Sequence, residues 1–493
     1  VSFAQAFRPA TPNPVQLSGT KTVGHLLLNT NTGTGYSIGA VGNADILRLD
    51  NGANTPRVSA SSGTHIINSP VELTNSAIVT LTSSASLLTM VGNITQPGGV
   101  GGTARSLTKA GAGTLTLSGT NSYTGGTNID GGTLLLAGAG IPLATTGAVT
   151  MGGGTLDLGT QTRTVGAVSI TAPAGSGDTI RNGNLTGSSY AATNTTGNAI
   201  VSATLNGTGT LTKSGAGTLT LTGTNGYTGA TNVNGGTLVV LGPTSGAGPA
   251  LANTLITVAS GATFAAYPGS GSVTVGRTNL VSSGGRLTLN AGSAFTMVDN
   301  AIGTLNLFQG GAVLNGLTAS VASGTAPTLT FELGGSLLAI DVLNVTRPVV
   351  TSNPVKGQII IQPLTGLTSL VPGNYTFMTA GGTTPGLGPT AFTLATTSLN
   401  VNGNNYALSL ANSTTTAQIL TITNAFADEP GKMDQGGGES FDPFFSTGGT
   451  MDGNGLPGTG SGSAVVPEPG SLGLLLVGSL GLLASRRRAS GRA

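Results

Sequence analysis

Along most of the chain, apolar and polar residues alternate with a period of two, in short runs separated by glycine. In Thr114-Leu115-Thr116-Leu117-Ser118 the leucines point one way and the hydroxyls the other. That alternation marks a half-buried β-strand. It recurs in Gly154-Thr155-Leu156-Asp157-Leu158, Ile256-Thr257-Val258, Gly303-Thr304-Leu305-Asn306-Leu307 and Leu329-Thr330-Phe331-Glu332-Leu333. Leu115, Leu117, Leu219 and Leu221 are therefore expected inside. Glycines such as Gly119, Gly125, Gly131 and Gly132 break the strands where the chain turns, some of them at positive φ.

One block of this pattern occurs twice. Residues 107–138 read LTKAGAGTLTLSGTNSYTGGTNIDGGTLLLAG, and residues 211–242 read LTKSGAGTLTLTGTNGYTGATNVNGGTLVVLG, identical at 23 of 32 positions without a gap. Repeats at a fixed spacing point to a stacked architecture. Asn121, Asn128, Asn225 and Asn232 fall in the turns, where asparagines of successive coils are expected to form a ladder. At about 20 to 25 residues per coil the body makes roughly 15 to 20 coils, a rod on the order of 70–100 Å long.

The block resembles the autotransporter-associated β-strand repeat. That resemblance implies a β-solenoid in a large exported protein. The expected fold is all-β: a right-handed parallel β-helix with a C-terminal β cap, a disordered linker and a short hydrophobic C-terminal helix. The expected parts are a strand-rich solenoid section at 1–105, the repeat-bearing solenoid at 106–356, a cap at 357–427, a Gly/Ser/acidic linker at 428–465 and a C-terminal segment at 466–493. The cap is expected because an open solenoid end would expose unpaired strand edges. A β-sandwich is the main alternative.

The C-terminal segment has its own pattern. Pro467, Glu468 and Pro469 precede an uncharged run at 472–484, and Arg486, Arg487 and Arg488 follow it. Leu472, Leu474, Leu475, Leu476, Val477, Leu480, Leu482 and Leu483 leave that run no polar face. It is shorter than the roughly 17 to 25 residues of a spanning helix, which suits a transient anchor. Arginine clusters stay cytoplasmic, so everything before Leu472 is expected outside. The segment resembles the PEP-CTERM sorting signal of bacterial exported proteins. The resemblance implies an exosortase that cuts near Pro467-Glu468-Pro469, together with the export machinery, and a cell-surface or extracellular destination after transient anchoring in the inner membrane. The opening Val1-Ser2-Phe3-Ala4-Gln5-Ala6 ends in A-x-A, the pattern found before signal-peptide cleavage, and reads as a truncated start.

Composition narrows the function. The 493 residues include 83 Gly, no Cys and no Trp, and only 7% are charged. Disordered chains pair low hydrophobicity with high charge; here 38% of residues are hydrophobic, enough for a core. Arg486, Arg487, Arg488 and Arg492 account for the basic balance, since without them 14 basic residues face 16 acidic ones. No basic stripe with interleaved aromatics remains, so nucleic acid is not an expected partner.

Chemistry is sparse. His25 and His65 are the two histidines, both read as surface or turn residues. With no cysteine they cannot build a His/Cys metal site, and no G-x-S-x-G elbow accompanies them. No cofactor or metal is expected. The six acids of the linker, with Lys432, match no calcium-loop spacing. Nine carboxylates lie singly in the body: Asp45, Asp50, Glu72, Asp130, Asp157, Asp178, Asp299, Glu332 and Asp341. Two of them on adjacent coils would be needed for a polysaccharide hydrolase or lyase. The favoured reading is a non-enzymatic structural or adhesive protein. Its rows of hydroxyls and amides would bind extracellular polysaccharide or other copies of itself.

Overall fold

The computed structural model describes residues 2–3, 13–29, 34–42, 44–138, 140, 143–171, 177–242, 251, 254–275, 287–307, 317–319, 325–336, 338–345, 349–351, 357–381, 387 and 390–425. The chain divides into two units, Val1–Asp428 and Glu429–Ala493, and every described residue belongs to the first. The expected linker, sorting motif and C-terminal helix lie outside the described residues.

The alternating runs become strands that pair in parallel with the coil before and the coil after. They form three faces. Face 1 holds strands such as Leu107–Ala110, Thr127–Ile129 and Leu211–Lys213. Face 2 holds Thr114–Leu117, Thr133–Leu136 and Thr218–Leu221. Face 3 begins with Lys21–Val23, Leu47–Leu49, Val71–Leu73 and Ile94–Thr95 and continues later with Ser272–Val275, Thr304–Leu307 and Val342–Val345. Two long strands, Thr155–Ile170 and Thr179–Ala192, run through corners without a break. Their register shifts between Asp157 and Gln161, and Thr160 and Asn182 take positive φ there, at 64° and 57°. Among the described residues the only helical element is a 3₁₀ turn, Gly99–Gly101. This is the parallel β-helix that the repeats predicted.

Parallel register stacks like on like. On face 2, Leu88, Leu115, Leu134, Leu156 and Ile180 occupy successive rungs. All are sealed from solvent, as are Leu117, Leu219 and Leu221. Burying each such side chain is worth about 1.5–3 kcal/mol. Thr114, Thr116 and Thr218 are half-exposed on the other side of their strands. Thr220 shares that side but is covered, and it donates to Asn198 Oδ1 at 2.8 Å. Further along, an aromatic file replaces the leucines: Phe264, Phe295, Phe331 and Phe377 follow at ring separations of 6.1, 6.1 and 5.1 Å.

The coils end by changing strand direction. Gly373–Ala380 pairs in parallel with Val342–Val345 on one edge and antiparallel with Ala417–Asn424 on the other. Asn404–Ser409 and Ser398–Val401 extend that antiparallel sheet. The cap leaves a four-residue strand at its edge, too short to template much pairing.

Candidate functional site

The residues expected to carry sorting and anchoring, from Pro467 to Arg488, all lie outside the described residues. Among the described residues no helix is long and apolar enough to cross a membrane. The chemistry that can be seen sits at the corners between faces.

The first corner belongs to the repeats. Lys109 follows Leu107 and Thr108 in strict alternation, so its side chain points inward, and its exposure is 0%. The Nζ donates to the carbonyls of Ala110 at 3.0 Å, Gly111 at 2.7 Å and Gly131 at 3.0 Å. Lys213 does the same in the second copy, donating to Gly215 O and, at 3.4 Å, to Gly235 O. Burial pushes both ammonium groups down to about 8. The corner must be glycine where the coils touch. Gly132 and Gly236 both have φ of +61°, and a Cβ there would lie 2.4 Å and 2.3 Å from the carbonyls of Gly111 and Gly215. Nothing in the local alternation marks these lysines as functional. The available signal is their recurrence, a lysine at the same inward position of an alternating run in both copies.

Two more devices repeat. Tyr123 and Tyr227 are buried, and each hydroxyl lies 2.7 Å from a threonine hydroxyl, Thr127 and Thr231. Burial pushes the Tyr123 phenol up to about 12. Asn121 and Asn225 do not stack on other asparagines as expected. Each is buried and accepts a backbone N–H of the preceding coil, from Ile94 at 2.7 Å and from Leu205 at 3.0 Å. They stand in for strand carbonyls on face 3, where the local chain has no strand to offer. Asn128 instead lies half-exposed on face 1, donating to Thr108 Oγ1 at 3.3 Å. An asparagine ladder does occur elsewhere: Asn344 donates to Asn306 at 3.0 Å and accepts from Thr379 at 2.9 Å.

The second corner gathers three of the nine body carboxylates. Asp299 Oδ2 accepts the N–H of Gly269 at 2.7 Å. Glu332 Oε2 accepts the N–H groups of Asp299 at 2.7 Å and Ala301 at 3.2 Å. Asp341 accepts from Gly303 at 2.9 Å and from Glu332 at 2.8 Å. Glu332 and Asp341 are buried. Desolvation, with the neighbouring Glu332 and Asp299 charges, pushes the Asp341 carboxyl up to about 7, against the pull of its two N–H donors. These acids are bound to backbone and aimed into a corner. A groove of about 490 Å³ at the cap is lined by Leu370, Asn404, Tyr406 and Asn424, with no carboxylate on its walls.

The remaining candidates are dispersed. Asp157 accepts from Gly159, Arg181 and Asn182, and these bonds outweigh burial to hold its carboxyl below the usual range. Asp178 is buried and accepts from Gly154. His65 is no surface residue. It is sealed inside, stacks on Tyr36 at 5.7 Å and accepts the Tyr36 N–H at Nδ1, and burial lowers its pKa. His25 is exposed beside Ser59 on face 1. Among the described residues no group of three or more His, Cys, Asp or Glu side chains is placed to hold a metal.

Comparison with known proteins agrees with the two motifs. The passenger-associated-transport-repeat matches residues 107–136 and 211–240. The PEP-CTERM protein-sorting motif matches residues 465–488. The chain thus carries the repeats and the address of exported surface proteins. No curated protein matches it. Among solved structures, the Haemophilus influenzae Hap adhesin is similar at 14% identity, with a TM-score of 0.25, covering 84% of this chain and 58% of that one. The chain therefore spans little more than half the length of that adhesin, and so low a TM-score lends the likeness no weight.

Proposed function

We propose that this chain is a non-enzymatic structural or adhesive protein of a bacterial cell surface or extracellular matrix, cut by an exosortase near Pro467-Glu468-Pro469. The match of the sorting motif to residues 465–488 carries the reading. The corners support it, because the buried lysines and carboxylates spend their hydrogen bonds on the protein's own backbone. Before cutting, the run at 472–484 holds the chain transiently in the inner membrane, and the arginines mark its cytoplasmic end. The mature face rows then engage matrix polysaccharide or further copies through many weak contacts multiplied by avidity. Intact-mass measurement on protein recovered outside the cell tests the processing. Molecules lacking residues 472–493 are expected, and a full-length C-terminus on most of them would sink the proposal.

One observation favours a second reading, a polysaccharide hydrolase or lyase. The carboxylates Asp299, Glu332 and Asp341 meet at one corner, and Asp341 is raised to about 7, a range useful to a general acid. Incubation with extracted matrix polysaccharide decides between the two. The structural reading expects no new reducing ends and no unsaturated products. Turnover that disappears in Glu332→Gln would install the enzyme instead.

A further inference from the structure

Face 1 carries a row that the corner chemistry leaves unused. Following the register from Thr108 through Asn128, Thr150 and Ser169 to Thr288, the central outward residue of nine successive strands is Thr, Asn, Ser or, once, Ala191. Each of these residues is half-exposed and none is charged. Lys109 and Lys213, on the same strands, point inward. No register shift interrupts the row. In the same register the row is preceded by Ile78 and by the exposed Arg57 and His25, so the uncharged stretch of face 1 begins at Thr108. The other faces also carry charge. Face 2 is crossed by the Arg181–Asp157 ion pair beside the register shift, and face 3 carries the Arg48–Glu72 pair and ends in the antiparallel cap.

Such a face is complementary to itself. Each rung repeats at about 4.8 Å, so two copies laid face to face keep all their rungs in step. Small uncharged side chains along the row let two sheets approach to roughly 10 Å; the exposed Asp130, two residues beyond Asn128, lies at the margin of its rung. The rung atoms are already held by strand pairing, so little ordering entropy opposes contact. Nine rungs about 15 Å wide offer on the order of 1,100 Å² in total, at the edge between transient and stable interfaces. An association of that size depends on protein concentration.

We propose that face 1 is a self-association surface and that its partner is face 1 of a second copy of this chain. The proposal rests on the structural reading above and names its partner. Failure of that reading would appear in the location and mass of the exported protein, which the following experiment does not probe. Sedimentation velocity of the full chain over a concentration series is compared with that of two double variants. Thr150→Arg/Thr212→Arg places like charges in the row, and Thr133→Arg/Thr237→Arg places them on face 2 as a control. Circular dichroism and melting temperature confirm that all three fold alike. The wild type is expected to dimerise with rising concentration, the face 1 variant to need about tenfold more protein or never dimerise, and the control to follow the wild type. A wild type that stays monomeric overturns the proposal, as does a control that dissociates as readily as the face 1 variant. A monomer that binds matrix polysaccharide and loses that binding in Thr150→Arg/Thr212→Arg also overturns it, assigning the face to a glycan.

Discussion

In the two repeat copies the chain leaves face 1 with several carbonyls turned toward one inward point, and Lys109 and Lys213 meet them with an ammonium. In the coils from Gly269 to Asp341 the corner turns N–H groups inward instead, and Asp299, Glu332 and Asp341 meet them with carboxylates. Buried backbone groups need partners, and a side chain must supply what the neighbouring coil does not. The sign of the buried charge thus follows from which half of the peptide group the turn leaves over. Oriented backbone dipoles offset part of the cost of burying each charge, as they do for ions at helix ends and in turn nests, and desolvation still shifts Lys109, Lys213 and Asp341 toward their neutral forms.

The strongest way to break this comparison is to reverse a sign. Lys213→Glu would set an anion among carbonyls and is expected to cost about 3–5 kcal/mol, as an uncompensated buried charge does. Lys213→Met keeps the apolar stem, removes the charge and leaves carbonyls unpaired, for about 1–3 kcal/mol. Because a solenoid loses order locally, hydrogen exchange at residues 211–241 reads the difference better than a global melt. Equal protection in the two variants would show that the sign is immaterial.

A weaker and more specific effect is pH dependence, with opposite slopes for the two corners. The lysines are depressed to about 8 from an ordinary 10.5, so between those values the unfolded chain holds protons that the folded one has released. Their contribution to stability therefore rises with pH over that window. Asp341 is raised to about 7 from an ordinary 3.8, so between those values the folded chain holds the extra proton. Its contribution falls as pH rises from about 4 to 7. Melting curves from pH 4 to 10 should lose the acid slope in Asp341→Asn and the alkaline slope in Lys109→Met/Lys213→Met. Slopes that survive those substitutions would assign the titration to other groups.

The smallest expected effect checks that the two copies are equivalent. Tyr123→Phe and Tyr227→Phe each remove one buried hydroxyl contact of 2.7 Å and should each cost about 1 kcal/mol, within experimental error of one another. Denaturant titration of the single variants measures both. A large asymmetry would mean that the added contact of Thr231 with Thr254 makes the second copy a different site.

Much of this fold is legible in the sequence alone. Period two is a local property, so the burial of Leu115, Leu117, Leu219 and Leu221 could be read from four letters at a time. Self-similarity of residues 107–138 and 211–242 implied stacking, because a unit with one apolar side needs a neighbour to cover it. The corners were not legible. A lysine letter reads as a solvated residue, since lysine is rarely buried without a partner. Gly131, whose carbonyl completes the Lys109 cage, lies 22 residues away. Asp299 and Glu332 are 33 residues apart and meet only because one coil lies on the next.

The sequence by itself determined which leucines of the alternating runs face in, that the units stack in parallel, and which segment carries the export address. Those are matters of short-range alternation and of motif. The tertiary structure alone decided that there are three faces, that Asn121 and Asn225 complete a strand rather than a ladder, that His65 is core, and that buried cations and anions divide the corners between them. A corner's unpaired groups depend on where the adjacent coil places its own backbone, and that position exists only once the coils are stacked.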